Sequence, residues 1–188
     1  MLASISPFGE RARNNRWWVT LALFGAACTL GGAALGGLVG GAGALLVGHP
    51  SGGAIRWVAL VACLAAAGAD TAGWVLPPHR QVDEGWLTAY RRWVYASGFG
   101  LQLGAGLMTV ITTAAVPLVF LLALLSGRVT DGLLIGATFG MARAAPVAGL
   151  ARTHTPAALR RRHQRLTGAA PVARWATVGV LVLAAAAL

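Results

Sequence analysis

Residues 17–48 read WWVTLALFGAACTLGGAALGGLVGGAGALLVG, an apolar run of 32 residues that contains no charged side chain. As one helix it would be about 48 Å long at 1.5 Å per residue, whereas the hydrocarbon core of a bilayer is roughly 30 Å thick. Paired glycines stand at 31–32, 36–37 and 40–41. The run is therefore expected either to be interrupted at these glycines or to pack closely against other helices through them.

Four more apolar runs follow, at 54–76, 94–127, 132–151 and 175–188. The run 94–127 is also too long for one crossing, and it carries Gly104, Gly106 and Pro117 near its middle. Only 11% of the chain is charged, against about 25% in soluble domains, so the composition excludes a soluble globular enzyme. We predict an all-α integral membrane protein, with seven shorter helices or, alternatively, five long transmembrane helices.

The basic residues predict the orientation of the chain. All 15 of them are Arg, and they lie almost entirely between the apolar runs, as the positive-inside rule requires of cytoplasmic loops. This favours the bacterial cytoplasmic membrane, with the N-terminus and the loop 152–174 on the cytoplasmic side. The expected partner is the lipid bilayer, and nucleic acid is not expected, because the rule already explains the net charge of +10.

Two segments between the apolar runs have helical patterns. Residues 82–95 place aromatic side chains at helical spacing, which predicts an amphipathic helix at the headgroup level. Residues 155–166 begin with Thr155 and Pro156, a helix-start pattern, and their Arg side chains are expected to lie on anionic lipid.

The two halves of the chain resemble each other. Each half has an oversized Gly-rich run, a linker and a span of about 20 residues. Sliding one on the other aligns Phe24-Gly25 with Phe99-Gly100 and Gly31 with Gly106. Internal repeats around a midplane site are a common plan among secondary transporters.

The stretch 98–106, GFGLQLGAG, with the threonines that follow it, and the stretch 136–146, GATFGMARAAP, resemble the CcdA/DsbD and sulfite-exporter-like family of small membrane proteins. The resemblance implies two inverted three-helix repeats with broken first helices, plus a C-terminal helix. It also implies a thiol relay with one cysteine in each repeat. Cys28 stands in a suitable place, but its counterpart is Leu103, which leaves Cys63 as a substitute partner only if its helix packs against the first.

On this plan the chain divides into six segments. They are a cytoplasmic arm (1–16), a first membrane repeat (17–76), an amphipathic interfacial linker (77–93), a second membrane repeat (94–152), a basic cytoplasmic segment (153–173) and a C-terminal membrane helix (174–188).

Apart from Arg56 at the very start of the second run, two ionisable residues lie inside apolar runs, Asp70 and Arg143. A charge at bilayer depth costs roughly 2.5–3.5 kcal/mol, so such residues usually face the bundle interior and are paired. We expect either a structural Asp70–Arg143 ion pair or a substrate site. The polar side chains expected to line such a site with them are Gln102, Thr109, Thr112 and Thr113.

Three functions remain open at this stage. The first is a small transporter, or the membrane subunit of a transport complex, with a midplane site for a small polar or anionic solute. The second is a thiol-disulfide or electron relay through Cys28 and Cys63. The third is a non-transporting membrane subunit that binds a membrane or cytoplasmic protein partner through Arg-rich segments. No metal site, cofactor or catalytic arrangement is predicted, which favours a protein that is not an enzyme.

Overall fold

The computed structural model describes residues 5–46, 52–73, 89–106, 113–151, 153 and 155–187. Within these ranges the regular structure is helical, as predicted. The helices are α1 (Pro7–Ala12), α2 (Trp17–Leu46), α3 (Gly52–Thr71), α4 (Arg92–Gly104), α5 (Ala115–Ser126), α6 (Val129–Ala148), α7 (Pro156–Gly168) and α8 (Ala170–Ala186).

Some of these helices have the length and hydropathy of a membrane-spanning helix. Helix α2 and residues 53–71 of α3 are long and apolar enough to cross a membrane. Helices α7 and α8 add a third span if the pair, bent by 47°, is counted as one. The protein is thus a membrane-like helical protein with two or three candidate spans among the described residues.

Helix α2 is continuous over 30 residues and occupies the centre of the bundle. The prediction that the first apolar run is broken is therefore wrong. The paired glycines do not end the helix, and at least one member of each pair faces the backbone of another helix or its N-cap residue at close range. The alternative prediction, that this run packs closely against other helices through its small residues, is confirmed.

Helices α2 and α6 run antiparallel with their backbones in direct contact. A methyl group built at Gly32 would overlap the carbonyl oxygen of Gly136, and one at Gly36 would overlap that of Gly132. One turn further along α6, Gly140 meets the carbonyl oxygen of Cys28 in the same way. Because no side chain separates the two helices along this line, their register is fixed by glycine alone.

The second oversized run is interrupted, as predicted. Helix α4 ends at Gly104, the backbone turns at Gly106 (φ 70°), and α5 begins only at Ala115. The two halves of the chain therefore differ, since a broken first helix is present in the second half alone. The resemblance implied one in each half, and this detail of the predicted repeat is wrong.

The helices form two groups that meet at α5. Helices α4 and α6 pack on α2 around Phe24, Cys28 and Phe99, whereas α8 packs on α3, and α3 packs on α5 around Cys63 and Leu118. Helix α4 is parallel to α2, and α6 is antiparallel to both. The N-termini of α2 and α4 and the C-terminus of α6 consequently lie at one end of the bundle, called the α1 end below.

Of the two helices predicted between the apolar runs, one is confirmed and the other is wrong. Helix α7 begins at Pro156, and the Thr155 side chain accepts a hydrogen bond from the amide of Ala158 (3.2 Å), which confirms the predicted start. A single helix over 82–95 is wrong, because Arg91 is extended (φ −64°, ψ 152°) and α4 begins only after it. The part of that segment at 82–88 lies outside the described residues.

We predict that Gly36→Ala destabilises the protein by about 1–3 kcal/mol, because the added methyl group forces the α2 and α6 backbones apart. Gly25→Ala is the matched control, since it lies in the same helix and a methyl group there meets nothing within 4 Å. It should be neutral or slightly stabilising, because Ala is the better helix former. Thermal unfolding in detergent, followed by circular dichroism, compares the two. Equal midpoints would contradict the assigned α2–α6 contact.

Candidate functional site

Arg143 lines a cavity of about 370 Å³ between α2, α4 and α6, near the α1 end. The other lining residues are all apolar: Ile5, Phe24, Leu103, Ala142, Pro146 and Val147. Ile5 is only 2% exposed, so the segment before α1 covers part of this cavity. The cavity therefore joins one cationic side chain to an apolar wall.

The surroundings of Arg143 are aromatic. Its guanidinium carbon lies 5.4 Å from the centre of the Phe139 ring, which is within the range of a cation–π contact. Phe139 in turn packs edge-on against Phe120 of α5, with 5.4 Å between the ring centres. Among the described residues no carboxylate lies within ion-pair distance of Arg143. The ion pair expected with Asp70 is therefore not formed.

Asp70, 2% exposed, binds the start of α5 instead. One carboxylate oxygen accepts a hydrogen bond from the Thr113 hydroxyl, and the other accepts one from the amide of Ala114, both at 2.6 Å. The Thr113 oxygen also accepts from the amide of Ala115 (3.2 Å). A carboxylate at a helix N-terminus compensates its free amides and its dipole. Asp70 thus holds in place the helix that follows the break.

The different depths of Asp70 and Arg143 explain why they do not meet. The carbonyl oxygen of Leu124, near the end of α5, lies against Gly43 of α2. The start of α5 is ten residues earlier, or about 15 Å along the axis, which is level with the middle of α2. Arg143 follows Gly140, which contacts Cys28, and so lies well toward the α1 end. Asp70 is therefore level with the middle of α2, whereas Arg143 is level with a part of α2 nearer the α1 end.

None of the other predicted site residues that the structure describes forms a hydrogen bond with Arg143. Thr113 is with Asp70, as described above, and Gln102 lies half-buried on α4. Thr109 and Thr112 fall outside the described residues. Of the predicted polar lining, the structure brings together only Asp70 and Thr113.

The two cysteines lie in separate parts of the core. Cys28 is buried with Phe24 and Phe99, whereas Cys63 is buried among the residues between α3, α5 and α8. Both are free thiols. Helix α3 does not bring Cys63 into the α2 cluster, so the substitute pairing required for a thiol relay is not present.

A second buried carboxylate, Glu10, was not anticipated from the sequence. It is 0% exposed and accepts hydrogen bonds from Arg13 (2.5 Å), the Thr20 hydroxyl (2.7 Å) and the Tyr95 hydroxyl (2.8 Å). Burial opposes the charge of Arg13, but the hydrogen bond and the attraction of Glu10 outweigh it and raise the pKa of the guanidinium. This network joins α1 to α2 and α4, and it holds the segment that covers the Arg143 cavity.

One local signal pointed to part of this network. Ser6 and Pro7 are typical of a helix start, and Ser6 does cap α1 by accepting from the amide of Gly9 (3.1 Å). A helix that begins there places Glu10 and Arg13 three residues apart on one face. The contact with Tyr95, 85 residues away, has no counterpart in the sequence pattern.

We predict that Asp70→Asn and Thr113→Val each destabilise the protein by about 1–3 kcal/mol, because each leaves a buried partner without its hydrogen bond. The double variant should lose less than the sum of the two, by about 0.5–3 kcal/mol, since both remove the same bond. Asp70→Asn combined with Thr138→Val, at an exposed position of α6, serves as the control and should be additive. Additivity of the Asp70 and Thr113 changes in thermal unfolding would rule out the assigned contact.

Comparison with known proteins gives one informative likeness. Over 152 residues the chain is 31% identical to the methylamine utilization protein MauF of Paracoccus denitrificans, and the alignment covers 78% of this chain and 54% of MauF. The chain thus spans about half the length of the curated relative it matches. No family model matches the chain, and no solved structure matches it.

Proposed function

We propose that this chain is a small membrane transporter, or the membrane subunit of a transport complex, that binds a small organic anion at Arg143. The observation that carries the proposal is the cavity described above. Arg143 is the one charged side chain that lines this space, the other lining side chains are apolar, and no carboxylate of the described residues forms an ion pair with it.

The chemistry of the lining selects the class of solute. A guanidinium has five donors arranged in a planar fork, which matches a carboxylate or a phosphate in two-point contact. The six apolar neighbours offer nothing to a sugar or another polyhydroxylated body, since such a solute would lose its hydrogen bonds to water without replacement. A solute with one anionic group and a short apolar body satisfies both parts of the cavity.

The interrupted run supports a transport role. Helix breaks at membrane depth are tolerated where the freed backbone is buried in protein or lines a cavity. Here Asp70 satisfies the freed amide of Ala114 near mid-depth, and the broken helix packs through Phe120 on the Phe139 ring beside Arg143. Two unbroken helices would anchor the chain in a membrane equally well, so anchoring alone does not account for the break between α4 and α5.

The name of the relative MauF connects it with methylamine utilization. We infer that this chain acts as a membrane accessory in a similar system. The two buried carboxylates are poor sites for a methylammonium ion, because both oxygens of Asp70 already accept short hydrogen bonds and Glu10 is occupied by three donors.

Partner binding through Arg-rich segments is a second candidate function, favoured by one observation. Helix α7 has no buried residue, so its arginines are presented outward. These side chains are Arg160, Arg161, Arg162 and Arg165. An exposed basic helix suits an acidic protein surface as well as anionic lipid, and a partner that copurifies in fixed ratio would favour this function over transport.

We predict that hexanoate binds the purified protein at least tenfold more tightly than hexylammonium or hexanol, which share its tail but not its charge. Arg143→Gln should lower hexanoate affinity about 10- to 100-fold, because a charge-assisted hydrogen bond is lost from an apolar cavity. Arg143→Lys should recover only part of it, because an ammonium does not reproduce the planar fork. Titration calorimetry in detergent measures all of these.

The control is Arg128→Gln, which removes an exposed guanidinium at the other end of the bundle and should leave hexanoate binding unchanged. Preference for hexylammonium, or undiminished binding by Arg143→Gln, would refute an anion site at Arg143. Uptake of labelled hexanoate into proteoliposomes then separates a transporter from a binding subunit.

The thiol relay implied by the family resemblance is not favoured, because Cys28 and Cys63 lie in different clusters. We predict that the original chain forms no Cys28–Cys63 disulfide, and that the double variant Cys28→Ser, Cys63→Ser binds hexanoate as the original chain does. Alkylation mass of the original chain under oxidising and reducing conditions measures the first, and titration calorimetry measures the second. An intramolecular Cys28–Cys63 disulfide in the original chain would restore the relay as a candidate.

A further inference from the structure

A second cationic cleft, of about 500 Å³, lies at the α1 end, where the chain enters α4. Three arginines line it, Arg13, Arg91 and Arg92, together with aromatic side chains of the same segment. It shares no lining residue with the Arg143 cavity, and it belongs to a different pair of elements. The two sites are therefore separate.

The charges in this cleft are only partly balanced. Glu10 is the one carboxylate that the described residues bring to it, and this group is buried beneath Arg13 and bonded to it. That leaves Arg91 and Arg92 facing the cleft without a described acidic partner. The first amides of α4 add to the positive potential, because Arg91, at the N-cap position, makes no side-chain capping bond.

Part of the cleft is held rigid and part is exposed. Arg13 is fixed by Glu10 and by the Tyr95 ring, whose centre lies 5.6 Å from the guanidinium carbon. The Tyr95 hydroxyl is held by Glu10 and by the amide group of Asn15 (3.1 Å). Trp93, in contrast, is 60% exposed at the rim. The cleft thus combines the fixed guanidinium of Arg13 with the exposed indole of Trp93, unlike a surface on which all arginine side chains extend into water.

The position of the cleft identifies its environment. It lies where α4 begins, at the end of the bundle where α2 also begins, and α2 is a candidate membrane span. Trp and Tyr side chains at the ends of membrane helices lie at the level of the lipid headgroups. Basic pockets at this level are suited to anionic headgroups, since the phosphate lies within reach of the guanidinium groups while the acyl chains remain in the bilayer.

We propose that this cleft binds the phosphodiester headgroup of an anionic phospholipid, with Arg91 and Arg92 contacting the phosphate and Trp93 lying against the glycerol and upper acyl region. A phosphodiester in the bilayer satisfies the unbalanced positive charge and the exposed indole at the same time, which a free phosphate ion does not. The site is independent of what Arg143 binds.

The test uses the full-length chain in a neutral detergent, titrated with dihexanoyl phosphatidylglycerol and, separately, with dihexanoyl phosphatidylcholine and inorganic phosphate. We expect the phosphatidylglycerol to bind at least tenfold more tightly than either of the others. Arg91→Gln combined with Arg92→Gln should lower its affinity about 10- to 30-fold, as expected for two basic groups that each contribute about 1 kcal/mol. If that variant does not fold, either single substitution should lower the affinity about fivefold.

The matched control is Arg56→Gln combined with Arg128→Gln, which removes the same charge from two exposed positions away from the cleft. Its affinity for phosphatidylglycerol should remain within twofold of that of the original chain. Equal binding of the two lipids, equal losses in the two double variants, or inorganic phosphate binding as tightly as phosphatidylglycerol would each overturn the proposal. The first outcome would indicate lipid binding that does not depend on the charge of the headgroup, the second a non-specific attraction to net charge, and the third a site for free anions.

Discussion

The backbone contact between α2 and α6 is the constraint on which the rest of the bundle depends. Gly32 and Gly36 face Gly136 and Gly132 so closely that neither helix can carry a side chain there. The contact ends where side chains return, and Arg143 stands in the first turn beyond it, opposite Phe24. Beyond these glycines both helices carry side chains again, and the cavity lies at that point, lined by Phe24 of α2 and Arg143 of α6. The position of the cationic site is thus a consequence of where the glycine contact stops.

Two of the few acidic residues of the chain are used for structure. The whole sequence has five, and two of them are deeply buried. Glu10 ties α1 to α2 and α4, and Asp70 ties α3 to the start of α5. Each carboxylate accepts several hydrogen bonds, as a buried charge requires. With these two carboxylates occupied, the charged side chains that line the two proposed sites are arginines, and for this reason both binding proposals concern anions.

The sequence was most informative where one local pattern decides the outcome. Thr155-Pro156 predicted the start of α7, and the glycines at 104 and 106 predicted a break that does occur. It was least informative at residues 17–48, because paired glycines suit both a broken helix and a tightly packed one, and only the matching glycines of α6 decide between them. Asp70 and Thr113 were both recognised as candidates, but their contact joins residues 43 positions apart. A repeating pattern of residue types indicates local structure, but it does not indicate contacts between residues so far apart in the chain.

Although Asp70 and Arg143 do not pair, one helix connects them. Asp70 accepts a hydrogen bond from the amide of Ala114 at the start of α5, Phe120 of that helix packs on Phe139, and the Phe139 ring faces Arg143. Gly106, the turn residue after α4, lies against the same two rings, where a methyl group would be 3.4 Å from Phe120. Residues on both sides of the break, Gly106 before it and Phe120 after it, therefore contact the aromatic cluster beside Arg143. The break places the start of α5 where Asp70 can reach it, and the Asp70 bond holds α5 at the depth where Phe120 meets Phe139. The two charged residues predicted as a pair thus belong to one arrangement, in which the carboxylate positions the helix and the guanidinium faces the cavity.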